Sequence, residues 1–451
     1  MTAFGTPLKL FSADSLWNSY PVKSVLGTYQ IPKSDYYPTV QGGAWSTGLF
    51  VANATDGPMI VTGLDGAAGV KDPDSCVDRP VIIPRWPAST LPATGSDGHA
   101  DIYDPVTDIV HSFWQLKNVN GKWQAALYAF SPAKGHGWGD PAHFYHGARA
   151  TGVPATAGLI RAHEINDGQA IYKHALAMSL TYNALSAKTP YIAPATSADW
   201  DAAQTNTGQI PQGALMMLPA NYDTSKIANQ ALRKVADTLK TYGAYVVDRN
   251  TGTPFAIYVE NSAPFNLHGA GWNSAVGDEL DRIRASLRQV VSHSGFINGN
   301  GVPRVAPIRE NILSMRGPWR NCTTSKTEDI YDSLNQRVQL PVVTAWTRWL
   351  NATGSGFALR EFKPRAGDFF KMVVDTNCGA TFNVVLKRMI NGKPTIVYDS
   401  GLCGHNTLTY FMWPADVWSE LYVSKSAGSA AGYIRPRIVK IGEAEYLANK
   451  R

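Results

Sequence analysis

The sequence predicts a mainly β protein: a β-sandwich or jelly-roll-like body with a few helices, followed by a C-terminal β-sandwich domain. Three observations predict this class. Apolar runs are short and bounded by turn residues, as is typical of strands. Glycine and proline are abundant, with 40 and 28 copies in 451 residues, and they interrupt the chain with turns. Only 17% of residues are charged and 11% are aromatic, which indicates a packed globular chain.

The length predicts more than one domain, because a chain of 451 residues exceeds what one ordinary core accommodates. The sequence changes character near residues 336–343, after which short strands and turns dominate. We therefore expect a catalytic body over residues 1–340 and a C-terminal β-sandwich over residues 341–451.

The first half of the body is predicted to consist of strands joined by turns and loops. Asp104–Pro105 forms a turn, so the run that begins at His99 and the run that follows form a hairpin. A loop rich in glycine and histidine covers residues 134–147. Strands are predicted at 58–62, 81–84, 99–103, 109–117, 123–130, 159–165 and 171–182.

Two helices are predicted in the second half of the body. The first runs from Thr224 to Tyr242, with a cap at Asp223 or Thr224, apolar residues at helical spacing and Gly243 at its end. The second spans about residues 276–291. Further strands are predicted at 244–248, 256–260, 368–374, 382–389, 395–398, 407–412 and 420–423. No convincing helix is predicted after residue 343.

One predicted strand carries an unusual polar face. Residues two apart in a strand share a face, so His99, Asp101 and Tyr103 point one way while Ala100 and Ile102 point into a core. A base, an acid and a phenol in a row are suited to lining a groove. A polar strand exposed to solvent is the alternative reading.

Histidines are concentrated around this strand, since seven of the ten lie between residues 99 and 174. Asp101 and Glu164 are candidates for the two carboxylates of a glycoside hydrolase. In a polysaccharide lyase, His99 or Tyr103 would abstract the proton while Arg161 neutralises a uronate carboxylate. His174 joins this groove if it faces it, although a histidine in an apolar run is more often a core residue. The sequence leaves hydrolase and lyase open.

The glycine- and histidine-rich loop offers a second candidate site. His136, His143 and His146 could hold zinc and support a metal-dependent hydrolase, but their spacing matches no standard signature. Without a metal, His136 and Trp138 of this loop and Trp114 of a strand are the candidates for substrate binding. No P-loop, Rossmann or Gly-x-Ser-x-Gly motif is present, so we expect no cofactor.

Charge, cysteines and the N-terminus exclude several classes. Net charge is +6, from 41 basic and 35 acidic residues, without a basic run that indicates nucleic acid. None of the four cysteines, Cys76, Cys322, Cys378 and Cys403, forms a C-x-x-C motif. Cys378 and Cys403 could pair or stay reduced. No signal peptide or membrane-spanning run is visible.

Several motifs recur in order over about residues 10–300. They are His99-Ala-Asp-Ile-Tyr-Asp104, Ala150-Thr-Gly-Val-Pro154, Gly158-Leu-Ile-Arg161 with Glu164, His174-Ala-Leu176, Tyr242-Gly-Ala-Tyr-Val-Val-Asp248 and Ile257-Tyr-Val-Glu-Asn261. As an ordered set they resemble a family of mostly uncharacterised bacterial proteins that are usually exported and look carbohydrate-active or surface-located. The chain departs from that family because no export signal is visible and because it has the C-terminal β-domain. These two departures together resemble phage tailspike or tail-fibre depolymerases, and that resemblance implies that the C-terminal domain binds carbohydrate or mediates oligomerisation.

Together these observations predict a polysaccharide depolymerase, a hydrolase or a lyase that acts on bacterial capsule or exopolysaccharide. The resemblance implies a virion tail or extracellular location and a homotrimer. A non-catalytic glycan-binding or receptor-binding tail protein is the main alternative.

Overall fold

The computed structural model describes residues 3–75, 77–305, 311–353, 356–357 and 363–450. Strands make up 35% of the chain and helices 11%, which confirms the predicted mainly β class. Contacts divide the chain into two compact units. The first unit comprises residues 1–71, 78–139 and 145–307, and the second comprises residues 72–77, 140–144 and 308–451.

Short strands and three α-helices build the first unit. The helices are α1 (Ala202–Thr205), α2 (Gln230–Thr241) and α3 (Ser274–Ser286). The strands are β1 (Tyr20–Pro21), β2 (Val25–Leu26), β3 (Thr39–Gln41), β4 (Leu49–Val51), β5 (Met59–Gly63), β6 (Val70–Asp72), β7 (Val77–Arg79), β8 (Val81–Ile83), β9 (Ala100–Asp104), β10 (Ile109–Trp114), β11 (Lys117–Val119), β12 (Lys122–Ala125), β13 (Leu127–Pro132), β14 (Leu176–Thr181), β15 (Leu215–Met217), β16 (Ala244–Asn250), β17 (Phe255–Tyr258), β18 (Arg288–Ser292) and β19 (Phe296–Ile297).

These strands form three main sheets. One has seven strands in the order β2-β18-β15-β16-β14-β17-β3, one has six in the order β4-β9-β10-β13-β6-β7, and one has four in the order β11-β12-β5-β8. Parallel pairs such as β14 with β16 and β4 with β9 occur beside the antiparallel ones. The predicted hairpin is confirmed, since Ile109 of β10 pairs with Asp104 of β9 in antiparallel register.

Helices α2 and α3 cover one face of the seven-stranded sheet. Leu232 and Leu239 of α2 and Leu280 of α3 share a core with Met178 and Ile257 of the sheet. The apolar residues of α2 recur at helical spacing and form one continuous apolar face, and this face is buried against the sheet. The helix layer therefore closes one side of the unit.

The opposite face of the seven-stranded sheet packs against the six-stranded sheet. Tyr245 and Val247 of β16 share a core with Tyr103 of β9 and Val110 of β10. The six-stranded sheet in turn packs through Ile102 onto the four-stranded sheet. Layers of sheet with helices on one side result, and β9 is buried on both faces.

Three predicted elements differ in the structure. The expected strand over 159–165 is a single bridge at Ile160 followed by a 3₁₀ helix, Ala162–Glu164, because the Glu164 carboxylate accepts a hydrogen bond from the Arg161 backbone. The expected strand over 123–130 is divided between β12 and β13. The expected helix over 276–291 ends at Ser286, and β18 follows it.

The second unit is a β-sandwich with a short terminal helix, α4 (Glu443–Asn449). A shared core that includes Phe370, Phe382, Val423 and Ile438 joins its two sheets. The sheets have the orders β21-β20-β24-β29-β26-β27 and β22-β23-β30-β25-β28. The strands are β20 (Trp319–Asn321), β21 (Thr327–Glu328), β22 (Tyr331–Asp332), β23 (Arg337–Leu340), β24 (Thr347–Asn351), β25 (Phe369–Thr376), β26 (Ala380–Ile390), β27 (Lys393–Asp399), β28 (Leu408–Met412), β29 (Trp418–Lys425) and β30 (Gly432–Ile441).

The second unit begins before the boundary predicted at 340/341. Strands β20 to β23 precede that boundary, and two of them pair with strands after it: β20 with β24, and β23 with β30, for example Val338 with Ile434. Cys378 and Cys403 are free thiols, as is Cys322, whereas Cys76 lies outside the described residues. Within the described ranges, no helix is long and apolar enough to cross a bilayer.

Candidate functional site

The polar face of β9 is buried rather than open. His99, Asp101 and Tyr103 are 2%, 0% and 5% exposed and face the layer between the six- and seven-stranded sheets. Ala100 and Ile102 point the other way into a core, as predicted. The residue types are therefore placed as the alternation predicts, but inside the protein.

Arg149 occupies the centre of this inter-sheet layer. Its Nη1 lies 3.0 Å from Oδ2 of Asp248, and its guanidinium lies 4.0 Å from the ring centroid of Tyr258. The residue is 3% exposed, and its Nε and Nη2 have no hydrogen-bond partner in the described part of the chain. Buried donors are nearly always paired, so two unfilled donors on one buried cation indicate a candidate binding group.

A β-bulge positions Asp248 at this cation. Met178 pairs with Val246 but Ser179 pairs with Asp248, so Val247 is the extra residue. Bulges re-aim side chains and are frequent beside active sites. The Asp248 carboxylate consequently meets Arg149.

The environment of Asp248 raises its pKa to about 7. Burial is the main cause, Arg149 opposes it, and the negative charges of Asp199 and Asp97 raise the pKa further. A carboxyl group with a pKa near 7 can donate or accept a proton at neutral pH. Asp248 is therefore the best proton-transfer group in this cluster.

Two partly exposed carboxylates, Asp97 and Asp199, lie near enough to Asp248 to affect its pKa. Asp97 accepts a hydrogen bond from Nε1 of Trp114, with a donor–acceptor distance of 3.2 Å. Asp199 accepts one from Nε2 of Gln212 at 2.7 Å, and burial raises its pKa. Trp200, the next residue, is 94% exposed. The Arg149 cluster, defined as Asp97, His99, Asp101, Arg149, Asp199, Asp248 and Tyr258, thus reaches the surface near these residues.

His99 and Asp101 belong to the Arg149 cluster. Burial holds the pKa of His99 well below its usual range, Arg149 lowers it further, and Nδ1 lies 3.3 Å from the Phe113 carbonyl. Asp101 Oδ2 accepts hydrogen bonds from the Thr156 backbone and hydroxyl, at 2.8 and 2.6 Å. Burial raises the pKa of Asp101, although these bonds and Arg149 oppose it. Because its pKa is lowered by burial and by Arg149, the His99 imidazole is neutral at neutral pH.

Tyr103 is not placed to act as a base. Its hydroxyl donates to Oδ1 of Asp108 at 3.0 Å. Burial and this hydrogen bond raise the pKa of Tyr103 to about 12, so the phenol is protonated at neutral pH. A positioning role is all that this geometry offers.

Arg161, Glu164 and His174 form a second group. His174 Nε2 lies 3.1 Å from Oε2 of Glu164, and Arg161 Nη2 lies 3.1 Å from Oε1 of Glu260. Burial alone would raise the pKa of Glu164, but His174 and the Arg161 backbone outweigh it and lower the pKa to about 2. The residues predicted to share one groove are therefore divided between two sets of contacts, one around Arg149 and one around Glu164.

The predicted substrate-binding residues have different outcomes. Trp114 contacts the Arg149 cluster through Asp97. The prediction that Trp138 binds substrate is wrong. Its side chain is 3% exposed and stacks on Trp17 with 4.8 Å between ring centroids, because its loop packs into the core. Nδ1 of His136 lies 3.4 Å from the Ser12 hydroxyl.

The predicted zinc-type cluster is not formed. His143 lies 3.5 Å from Asp74 and His146 lies 3.1 Å from Ser131, so these two histidines and His136 have different neighbours. Over the described ranges, no three His, Cys, Asp or Glu side chains are grouped to hold a metal ion.

Sequence reasoning missed Arg149, Asp248 and Tyr258. A usable signal was present, because Arg149 lies between alanines and Asp248 follows the run Tyr-Val-Val. A lone charge among small or apolar residues is rarely buried unless it is paired. The two opposite charges in such settings were candidates for a buried ion pair.

Comparisons with known proteins give no family. No protein-family model matches the chain, and no curated protein matches it significantly. A solved structure of accessory secretory protein 1, 2 and 3 from Streptococcus pneumoniae matches 24% of this chain and 81% of its own, at 11% identity. Its TM-score of 0.18 is too low to carry an argument.

Proposed function

We propose that this protein is a polysaccharide-degrading enzyme in which Asp248 transfers the proton. One observation carries the proposal: the buried pair of Arg149 and Asp248 combines an acid whose pKa is about 7 with a cation that keeps two donors unfilled. Perturbed carboxyls and unsatisfied buried donors concentrate at functional sites.

Two mechanisms use this pair. In a hydrolase, protonated Asp248 donates its proton to the glycosidic oxygen, and Asp97 or Asp199 serves as the second carboxylate. In a lyase, ionised Asp248 accepts the proton next to a uronate carboxylate, and Nε and Nη2 of Arg149 neutralise that carboxylate. Both mechanisms stay open.

The aromatic surroundings support a sugar substrate. Trp200 is fully available to a ligand beside Asp199, and Trp114 is half-buried beside Asp97. Aromatic rings offer large apolar faces with a polar edge, which suits the apolar faces and hydroxyl rims of pyranoses. A linear polymer would lie across such rings.

Asp248→Asn tests the proposal. Wild type, Asp248→Asn and the exposed control Asp223→Asn are incubated with a panel of bacterial capsular polysaccharides, and reducing ends and viscosity are followed. Removal of the proton-transfer group is expected to lower the rate by about 10²–10⁴-fold, with the control unchanged. Ultraviolet absorbance of an unsaturated uronate product selects the lyase mechanism.

Two results would contradict the proposal. Undiminished cleavage by Asp248→Asn assigns the chemistry elsewhere. Binding of a polysaccharide without any cleavage by wild type supports the alternative of a non-catalytic glycan-binding protein.

The proposal includes action outside the producing cell, where such polymers lie. A phage tailspike context and a homotrimer remain predictions from the resemblance. Light scattering of the purified chain measures the oligomeric state directly.

A further inference from the structure

A small cleft opens on the six-stranded sheet of the second unit. Its volume is about 250 Å³, and it is lined by residues of β20, β24 and β29 together with Ala352 and Gly356. Arg320 pairs with Leu350 on the neighbouring strand, and Leu350 pairs with Tyr422, so these side chains lie on one face of the sheet. Ser419, Glu420 and Leu421 form the remaining wall.

The two charged residues of the cleft differ in their partners. Glu420 accepts a hydrogen bond from Lys387 Nζ at 2.7 Å and another from the Tyr422 hydroxyl. Burial opposes the shift, but these bonds lower the pKa of Glu420, so it is ionised and compensated. Arg320 is exposed, and its guanidinium has no hydrogen-bond or ion-pair partner among the described residues.

The segment that contains this cleft carries a positive net charge. Segment 308–451 contains 19 Lys and Arg against 12 Asp and Glu, while the whole chain contains 41 against 35. The positive excess of the protein thus lies in this segment. Arg348 also lies on the same sheet face, with its guanidinium 3.7 Å from the ring centroid of Tyr422.

We propose that this cleft binds a carboxylate-bearing sugar unit, so that the second unit holds an acidic polysaccharide. That the ligand is a saccharide rests on the proposed function, whereas its negative charge follows from Arg320. A guanidinium forms two parallel hydrogen bonds with a carboxylate. Leu350 offers apolar surface to the sugar ring, and the Ser419 hydroxyl can bond to a ring hydroxyl.

The volume of the cleft limits the bound unit to about one ring. Pockets for drug-sized molecules measure about 300–1,000 Å³, and this cleft is smaller. The rest of the polymer would continue over the sheet. Binding at this cleft holds the chain by one acidic residue and does not itself cleave it.

Calorimetric binding to the full-length Asp248→Asn protein tests this inference. The probes are trisaccharides of galacturonate, glucuronate and mannuronate, their methyl esters, and a neutral glucose trisaccharide. At least one acidic trisaccharide is expected to bind. Arg320→Ala is expected to weaken its binding by about 10–100-fold, because a charge-assisted hydrogen bond is lost. Arg437→Ala, which removes an equally exposed arginine from β30 of the other sheet, is the matched control.

Three outcomes would overturn the inference. They are no binding of any acidic trisaccharide at millimolar concentration, equal binding of the methyl ester or the neutral sugar, and equal weakening by Arg437→Ala. Circular dichroism confirms that each variant is folded.

The inference and the proposed function fail separately. If wild type cleaves a polymer but Arg320 has no effect on binding, only the inference fails. If Arg320-dependent binding occurs but no polymer is cleaved, only the enzymatic proposal fails.

Discussion

At the scale of single residues, charges buried in the first unit are organised around cations. Arg149 balances Asp248 while its other donors stay unfilled. His174 balances Glu164 in the same unit. Because buried charges are stable only when they are paired, protonation of these groups is linked to folding.

The pH dependence of stability reports on Asp248. Its pKa rises from 3.8 to about 7 on folding, so the protonated form is favoured in the native state. The resulting stability is complete below about pH 4 and is lost as pH rises through 7. Asp248→Asn cannot titrate, so between pH 5 and pH 8 it should gain about 2 kcal/mol relative to wild type. Urea unfolding at both pH values measures this; a constant difference would contradict it.

The pair of Glu164 and His174 predicts a different pH profile. The lowered pKa of Glu164 gives stability that is present above 4.5 and lost toward pH 2. Burial lowers the pKa of His174, but Glu164 outweighs it and raises the pKa, giving stability that is present below 6.5 and lost above the raised value. His174→Gln should therefore cost about 1–3 kcal/mol at pH 5–6 and less at pH 9. His293→Gln, an exposed histidine of the same unit that does not contribute to the Glu164 pKa, is the control for thermal unfolding.

The sequence predicts which residues share a strand face better than it predicts which residues contact one another. Alternation placed His99, Asp101 and Tyr103 on one face of β9, and the structure confirms this. Neither Arg149 nor Asp248 could be assigned to them, because a long-range ion pair leaves no periodic signal in one sequence. Burial of the face depends on a second sheet, whose strands come from both before and after β9 in the sequence, and strand alternation does not encode that packing.

At the scale of elements, local capping decides where helices begin. Thr224–Lys226 is a 3₁₀ helix capped by Asp223, and α2 begins only after Asn229. The Asn229 side chain accepts a hydrogen bond from the Leu232 backbone at 3.0 Å. The predicted start at residues 223–224 was wrong because two successive caps lie six residues apart, and helical periodicity does not distinguish them.

Asn229→Ala tests this assignment of the cap. Loss of the cap should lower the free energy of unfolding by about 1 kcal/mol. Asp223→Ala should have a smaller effect, because its partner belongs to a single exposed turn. Chemical denaturation of both variants makes the comparison. A larger loss for Asp223→Ala would show that α2 begins there.

Strand boundaries in the first unit were predictable only in part. The runs that became β5, β8 and β10 were recognised by their apolar residues. The run 123–130 was predicted as one strand, but Ala126 interrupts it and its halves join different sheets. One sequence gives apolar character but not the sheet that each strand enters.

At the scale of the whole molecule, the second unit is discontinuous in sequence. Segments 72–77 and 140–144 belong to it along with residues 308–451. Within that unit, the Tyr331 hydroxyl donates to the Ala142 carbonyl at 2.8 Å, and the Gly317 backbone donates to Asp74 at 2.7 Å. The sequence changes character near residue 340, but the long segment of the second unit begins at residue 308.

Truncation distinguishes the two boundaries. A fragment of residues 341–451 lacks β20 to β23, which leaves β24 and β30 with unpaired edges, so it should show no cooperative unfolding transition. The fragment 308–451 keeps those strands and should unfold cooperatively, at a lower temperature than the same unit in the full chain. Differential scanning calorimetry checks both. Equal behaviour of the fragments would restore the boundary at 340/341.

The discontinuity also limits how this protein can evolve by recombination. A terminal module encoded by one continuous stretch can be exchanged between genes in a single crossover. Here a crossover near residue 308 would replace residues 308–451 only. The recombinant protein would keep segments 72–77 and 140–144 of the original second unit. A change in the ligand bound by the second unit should therefore proceed by substitutions within the unit and not by replacement of the whole module.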